Sequence, residues 1–130
     1  MSHVLVVDDE PNVARYFPLT LQQAGFTCQA ARTKRQALAA AAAHWPDVVL
    51  LDLTLATADD GWEVWDELAL QARGRPLRVV IVSGVLTSAQ RAEARRRGAA
   101  ATLAKTVPPA SLVKAVRTAL TAGANAPGGG

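Results

Sequence analysis

The stretch HVLVVDDEPNVARYF, residues 3–17, starts as an unbroken aliphatic run and turns abruptly into three acids, Asp8, Asp9 and Glu10, before Pro11. Residues 3–7 lack the polar alternation of a half-buried strand, so they predict a strand covered on both faces. Pro11 suits the first turn of a helix, where its missing N–H costs nothing. The segment therefore reads as strand, acidic turn and helix, the opening of a β-α unit. A buried strand ending on three carboxylates calls for a physical reason, all the more in a chain of net charge +3.

Working outward, the same kind of run recurs as VVLLD at 48–52 and RVVIV at 78–82, and more weakly at 26–31 and 100–104. Helical patterns lie between them: 11–24, closed by Gly25; 34–44, opened by the capping box Thr33-x-x-Gln36; and 61–72, 88–97 and 109–122. Five strands alternating with five helices predict a single α/β domain, a doubly wound parallel sheet with helices on both faces. In such a sheet, sites form at the carboxyl ends of the strands. Pro18 lies inside the first helix, where it removes the bond to the Ala14 carbonyl, and the expectation is a kink or a second helical piece. The run Ala37–Ala43 is helix-forming with a small-residue surface. Residues 1–122 form the domain in this reading, and the glycine-rich 123–130 a flexible tail.

The 130 residues, half of them hydrophobic, suffice for one core. A single cysteine, Cys28, forms no internal disulfide and reads as a buried small hydrophobe. No apolar run approaches the roughly 20 residues of a membrane helix, and the N-terminus lacks the layout of a secretory signal. The expectation is a soluble, cytoplasmic protein. The one dense basic cluster, Arg91, Arg95, Arg96 and Arg97, precedes Gly98 and reads as a solvated helix end favoured by the macrodipole, with no interleaved aromatics to suggest nucleic acid. Trp62 and Trp65, one turn apart, read as core, whereas Trp45 has no evident place. His3 and His44 read as isolated, without the spacing of a ligand set.

Asp8 and Asp9 follow the first strand, Asp52 closes the third, Ser83 the fourth and Lys105 the fifth. The sheet places these ends side by side, so the residues converge although they are distant in sequence. Carboxylates gathered this closely repel by roughly 4 kcal/mol per pair at about 4 Å and an effective dielectric near 20. A cation relieves that repulsion, and an all-oxygen donor set suits Mg²⁺. The bland alternative gives Asp9 or Glu10 only the duty of capping the helix that begins at Pro11.

Four pieces, VLVVDDE at 4–10, PDVVLLDL at 46–53, VVIVSG at 79–84 and GAAATLAK at 98–105, together resemble the receiver domain of response regulators in two-component signalling. The resemblance implies the flavodoxin-like strand order, 2-1-3-4-5, in a five-stranded parallel sheet. It also implies that Asp52 is the phosphoacceptor, that Asp8, Asp9, Asp52 and the backbone carbonyl of Thr54 hold Mg²⁺, and that Ser83 and Lys105 bind the phosphoryl group. The implied partner is a sensor histidine kinase or phosphotransfer protein, with a protein effector downstream and a homodimer possible through the last helices. No direct nucleic-acid or membrane contact is expected. The output would be a conformational change of the face built by the last two helices and the last strand, without enzymatic turnover.

The sequence departs from that family at named positions. Thr106 follows Lys105 where the family has proline, the prolines coming at Pro108 and Pro109. Thr102 stands three positions before the lysine, where an aromatic switch is common. Leu55-Ala56 replaces a Met-Pro pair, and the loop that carries Asp59 and Asp60 is one residue longer before Gly61; these two acids read as a solvated turn and helix cap. Two other functions compete: a receiver-like interaction module that works without phosphate, and a Mg²⁺-dependent phosphohydrolase. The second lacks a partner acid, because Thr54 stands two positions after Asp52.

Overall fold

A computed structural model describes residues 2–55 and 60–121. The elements in chain order are β1 (His3–Val7), α1 (Pro11–Gln23), β2 (Thr27–Ala31), α2 (Lys34–Ala43), β3 (Val48–Leu51), α3 (Gly61–Ala72), β4 (Val79–Ser83), α4 (Ser88–Arg97), β5 (Ala101–Ala104) and α5 (Pro109–Thr121). All strand pairs are parallel, in the order β2-β1-β3-β4-β5. The doubly wound sheet predicted above is what the chain forms. Two strands shift slightly against expectation: β3 ends at Leu51, releasing Asp52 from the sheet, and β4 runs one residue later, ending on Ser83. The expected tail and Asp59 lie outside the described residues.

Every residue of β1, β3 and β4 is buried, which explains their lack of alternation. Side chains alternate across the sheet into two cores. One, under α2, α3 and α4, gathers Leu5, Val7, Leu51, Ile81, Trp65 and Leu68. The other, under α1 and α5, gathers Val4, Val6, Phe17, Leu50, Leu112 and Val116. Full burial of one such large aliphatic side chain contributes about 1.5–3 kcal/mol, so these two layers hold the strand ends in fixed register.

Several local expectations need correction. The first helix runs continuously through Pro18, with no second piece, because Pro18 lies between Phe17 and Leu21, whose burial holds both halves against the sheet. Thr33 caps α2 by accepting from Gln36 N at 3.1 Å, but the Gln36 amide oxygen reaches past Thr33 to accept from Arg32 N at 2.8 Å, so the box is only half closed. A complete capping box occurs at Thr87 and Gln90 instead.

His3 and His44 are not isolated. Their rings stack with centroids 3.8 Å apart, His3 Nδ1 lies 2.7 Å from Thr27 Oγ1, and His3 N donates to Asp47 Oδ2 at 2.7 Å. Parallel pairing of β1 with β3 brings these ends together, which separation along the chain conceals. Burial, then the field of His44, lowers the His3 pKa, and Asp47 opposes the shift.

The arginine cluster ends α4 at Gly98, which is left-handed at φ 81°. Arg96 and Arg97 pair with Glu93, and Arg97 also reaches Asp66 at 2.7 Å while covering the Trp62 and Trp65 rings. Trp65 is buried and Trp62 half-buried, as core positions. Trp45 donates from Nε1 to the Pro76 carbonyl at 3.0 Å, beneath the Arg75 guanidinium. Cys28 is half-buried, and desolvation pushes its thiol up to about 12.

Candidate functional site

Strand register builds the site. Val7 is aligned with Leu51, Leu51 with Ile81, and Ser83 with Ala104, so the next positions along β1, β3 and β5 bring Asp8, Asp52 and Lys105 to the same end of the sheet as Ser83. Backbone bonds continue the ladder past the strands: Asp8 N donates to Ala31 O at 3.0 Å and Asp52 N to Val7 O at 2.9 Å. The two acids are thereby fixed by the main chain before their side chains make any contact.

Asp8 and Asp52 are 2% and 1% exposed, and Asp9 is half-buried. One carboxylate oxygen from each of the three lies within 4.8 Å of the others. Lys105 Nζ donates to Asp52 Oδ2 at 3.0 Å and to Glu10 Oε2 at 3.3 Å, and lies 3.5 Å from both oxygens of Asp8. The other Asp52 oxygen accepts from Thr54 N at 3.1 Å. Asp8 Oδ1 accepts from Glu10 N at 2.9 Å, whereas Asp8 Oδ2 is buried without a hydrogen bond.

One lysine cannot neutralise this set. Desolvation is the largest influence on Asp8 and raises its pKa to about 6, against the Glu10 N–H and Lys105 and with the help of Asp52. Burial likewise raises Asp52, opposed by Thr54 N–H and Lys105 and assisted by Asp9. Burial works against the Lys105 ammonium, but its bond to Asp52 and the fields of Asp52 and Asp8 prevail and raise its pKa. A buried carboxylate oxygen without a donor incurs a desolvation cost of about 1–3 kcal/mol or more, and a hard cation removes it. The orphaned Asp8 Oδ2 and the all-oxygen cluster therefore fit Mg²⁺.

Glu10 does not do the capping duty that the alternative reading gave it. Glu10 occupies the N-cap of α1 with no side-chain cap bond, and its carboxylate turns to Lys105. Glu10 is the neighbour of the site that sequence reasoning passed over, although it is the third acid of the DDE run. Asp60 does cap α3, accepting from Trp62 N at 2.9 Å.

Of the remaining predicted residues, Ser83 is buried at the end of β4, with Oγ donating to Val85 O at 3.5 Å. Thr54 contacts Asp52 through its N–H. Thr102 is exposed on β5 and lines, with Ser83 and Arg91, a cavity of about 230 Å³. Gly61, which sequence reasoning treated only as a helix start, touches the site's backbone: a Cβ there would stand 2.5 Å from Leu53 Cα and 2.6 Å from Asp52 O. The first residue of α3 thus seats directly on the turn that carries Asp52, with Gly61 N donating to Leu53 O at 3.1 Å.

A cluster of acids and a lysine at the strand ends of a 2-1-3-4-5 sheet has a counterpart among known proteins. Residues 4–117 match the response regulator receiver domain. The chain belongs to this family. Transcriptional regulatory protein KdpE of Mycobacterium tuberculosis is 49% identical over 55 residues, which are 42% of this chain and 24% of KdpE. Protein PilH of Pseudomonas aeruginosa is 27% identical over 120 residues, 92% of this chain and 98% of PilH. The structure of chemotaxis protein CheY4 from Vibrio cholerae aligns with TM-score 0.84 at 27% identity, covering 92% of this chain and 99% of CheY4. The chain spans only about a quarter of KdpE, the first of these relatives. Receiver domains are signalling modules of two-component systems, and no helix among the described residues is long and apolar enough to cross a membrane.

Proposed function

We propose that this receiver domain accepts a phosphoryl group on Asp52 from the phosphohistidine of a sensor histidine kinase or phosphotransfer protein, in a Mg²⁺-dependent reaction in the cytoplasm. The observation that carries the reading is the buried Asp8, Asp9 and Asp52 cluster with Lys105 Nζ 3.0 Å from Asp52 Oδ2. An Asp52 oxygen attacks phosphorus, an O–P bond forms, the P–N bond breaks, and its electron pair returns to the imidazole. Asp8, Asp9, Asp52 and the Thr54 carbonyl would hold the ion, which when bound offsets charge repulsion between the carboxylate and the incoming phosphoryl group.

Lys105 has two duties in this scheme. Before transfer it partly neutralises Asp52; afterwards its ammonium pairs with the phosphoryl oxygens, with the Ser83 hydroxyl as a second donor. The transfer turns one carboxylate into a larger, more highly charged group. Ser83 and Lys105 follow that charge, and the β4–α4 loop and β5 that carry them transmit the change to the face of α4, β5 and α5. Thr102 allows this motion without an aromatic side chain. The module itself performs no turnover of a diffusible substrate.

Incubation of the protein with a small acyl phosphate and Mg²⁺, followed by intact mass measurement, tests the assignment. The expected result is one phosphoryl group per chain that alkali or hydroxylamine removes, lost in Asp52→Asn with the fold unchanged by circular dichroism. Labelling that persists in Asp52→Asn removes Asp52 as acceptor, and continuous release of inorganic phosphate over many turnovers favours a phosphohydrolase.

A further inference from the structure

A cavity of about 640 Å³ lies away from the acidic site, in a groove between α1 and α5. It exists because each helix commits one side to the sheet. Val13, Phe17 and Leu21 of α1 and Leu112, Val116 and Ala119 of α5 are buried there, and the outer flanks of the helices leave a channel between them. Its floor is small and apolar, with Ala24, Ala110 and Val113; its polar wall presents Lys114, Arg117 and Thr118. The groove follows α5 from Pro109 to Thr121, which at 1.5 Å per residue is roughly 18 Å, or more than three helical turns.

Charge decides what fits. Neither α1 nor α5 contains an acid, and the sequence has none from Pro11 to Pro46 or from Ala94 onward. Lys114 and Arg117 form no ion pair with any described residue. Lys34 and Arg97, by contrast, are held by acids of the chain itself: Lys34 pairs with Glu63 and Glu67, and Arg97 with Asp66 and Glu93. A second copy of the chain makes a poor occupant, because like faces would oppose their cations, and the acidic helix α3 already spends Glu63, Asp66 and Glu67 on internal partners. A phosphate backbone also fits poorly, since two cations are few beside the 6–10 phosphate contacts that typify such binding, and the wall has no aromatic to stack on bases.

We propose that the α1–α5 groove docks an acidic amphipathic helix of a partner protein, its alanine-like stripe on the apolar floor and its carboxylates on Lys114 and Arg117. Helix-in-groove recognition of this kind takes its affinity from the apolar stripe and its orientation from the charge pairs. The surface is separate from Asp52, so docking and phosphoryl transfer are independent measurements.

The test uses a fluorescein-labelled helical peptide of about fifteen residues, with alanines on one face and glutamates flanking them, and a control peptide carrying lysine for every glutamate. The full chain should bind the acidic peptide saturably by anisotropy and leave the lysine peptide unbound. Lys114→Glu with Arg117→Glu should weaken the acidic peptide by roughly tenfold or more and gain affinity for the lysine peptide. Lys114→Gln with Arg117→Gln, which avoids charge reversal, should give an intermediate loss and covers the case of a reversed variant that fails to fold. Absence of binding, equal binding of both peptides, indifference to these substitutions, or displacement of the peptide by a lower concentration of duplex DNA overturns the proposal. Acyl phosphate labelling of Asp52 on the same proteins should be unchanged, which keeps a failure here distinct from a failure of the phosphoacceptor reading.

Discussion

The two ends of β1 bury polar residues to similar depth and treat them in opposite ways. At the amino end, His3 is enclosed with Thr27, His44 and Asp47, and its backbone N–H and Nδ1 both have partners at 2.7 Å. At the carboxyl end, Asp8 is enclosed with Asp9, Asp52 and Lys105, and one of its oxygens has no hydrogen bond. Burial without satisfaction, rather than burial of polarity, separates the site from its structural counterpart. Two of the family departures sit at the same carboxyl end: Thr102 on β5 and Thr106 just after Lys105.

The largest effect should come from making the carboxyl end resemble the amino end. Asp8→Asn keeps the shape and supplies a neutral group that needs no cation, so Mg²⁺-dependent labelling of Asp52 should fall by about two orders of magnitude, the range seen when a general electrostatic contributor is removed. At the same time the metal-free fold should gain about 1 kcal/mol, because one of three crowded carboxylates that share a single lysine is neutralised. Urea unfolding with chelator measures the second quantity and timed mass spectrometry the first. A variant that loses stability in chelator would show that Asp8 is satisfied after all.

Gly61→Ala probes the backbone beneath the same end. The added Cβ meets Leu53 Cα and the Asp52 carbonyl, neither of which is a flexible side-chain tip, so α3 must shift. Overpacking of this kind costs about 1–3 kcal/mol. If the contact also positions Asp52, the labelling rate should fall by more than the loss of folded protein accounts for, and saturating Mg²⁺ should not restore it. An Ala variant with unchanged stability and rate would show that the turn after β3 gives way freely.

These effects bear on what could be read in advance. Unbroken aliphatic runs and capped helices made the element positions legible, the resemblance carried the strand order, and the residues at strand ends followed from that topology, which is how Asp8, Asp52, Ser83 and Lys105 were read as one group. The misses are of another kind. The His3–His44 stack joins residues with no shared local pattern and depends on the register of β1 against β3. Gly61 looked like a helix start because only coordinates show a neighbour's backbone at 2.5 Å. Glu10 was in plain view, but the direction it faces is decided by where Lys105 arrives from the far end of the chain. α1 continues through Pro18 without a second helical piece, and Phe17 and Leu21 on either side are held by the core.

At the amino end, Asp47→Ala should cost about 1–2 kcal/mol, the loss of a charge-assisted acceptor for the buried His3 N–H, with no change in Asp52 labelling. A labelling defect in this variant would mean that the two ends are coupled through β1, which the comparison denies.

The smallest effect is a pH dependence. His3 has a lowered pKa in the fold, through burial and the nearby His44, so on acidification the unfolded chain takes up a proton near pH 6.5 before the native state does. More protons bound when unfolded means stability that is intact above about pH 6.5 and declines below it, until the native His3 also titrates. His3→Asn retains an acceptor or donor near Thr27 and cannot titrate. Subtracting its urea-unfolding profile between pH 7.5 and pH 5 from that of the parent chain, both in chelator, should leave a slope of this sign, because the carboxylates at the far end cancel in the difference. A residual slope of opposite sign would place the charged imidazolium among groups that welcome it, with Asp47 outweighing burial and His44, and the amino end would then be a charged pair in its own right.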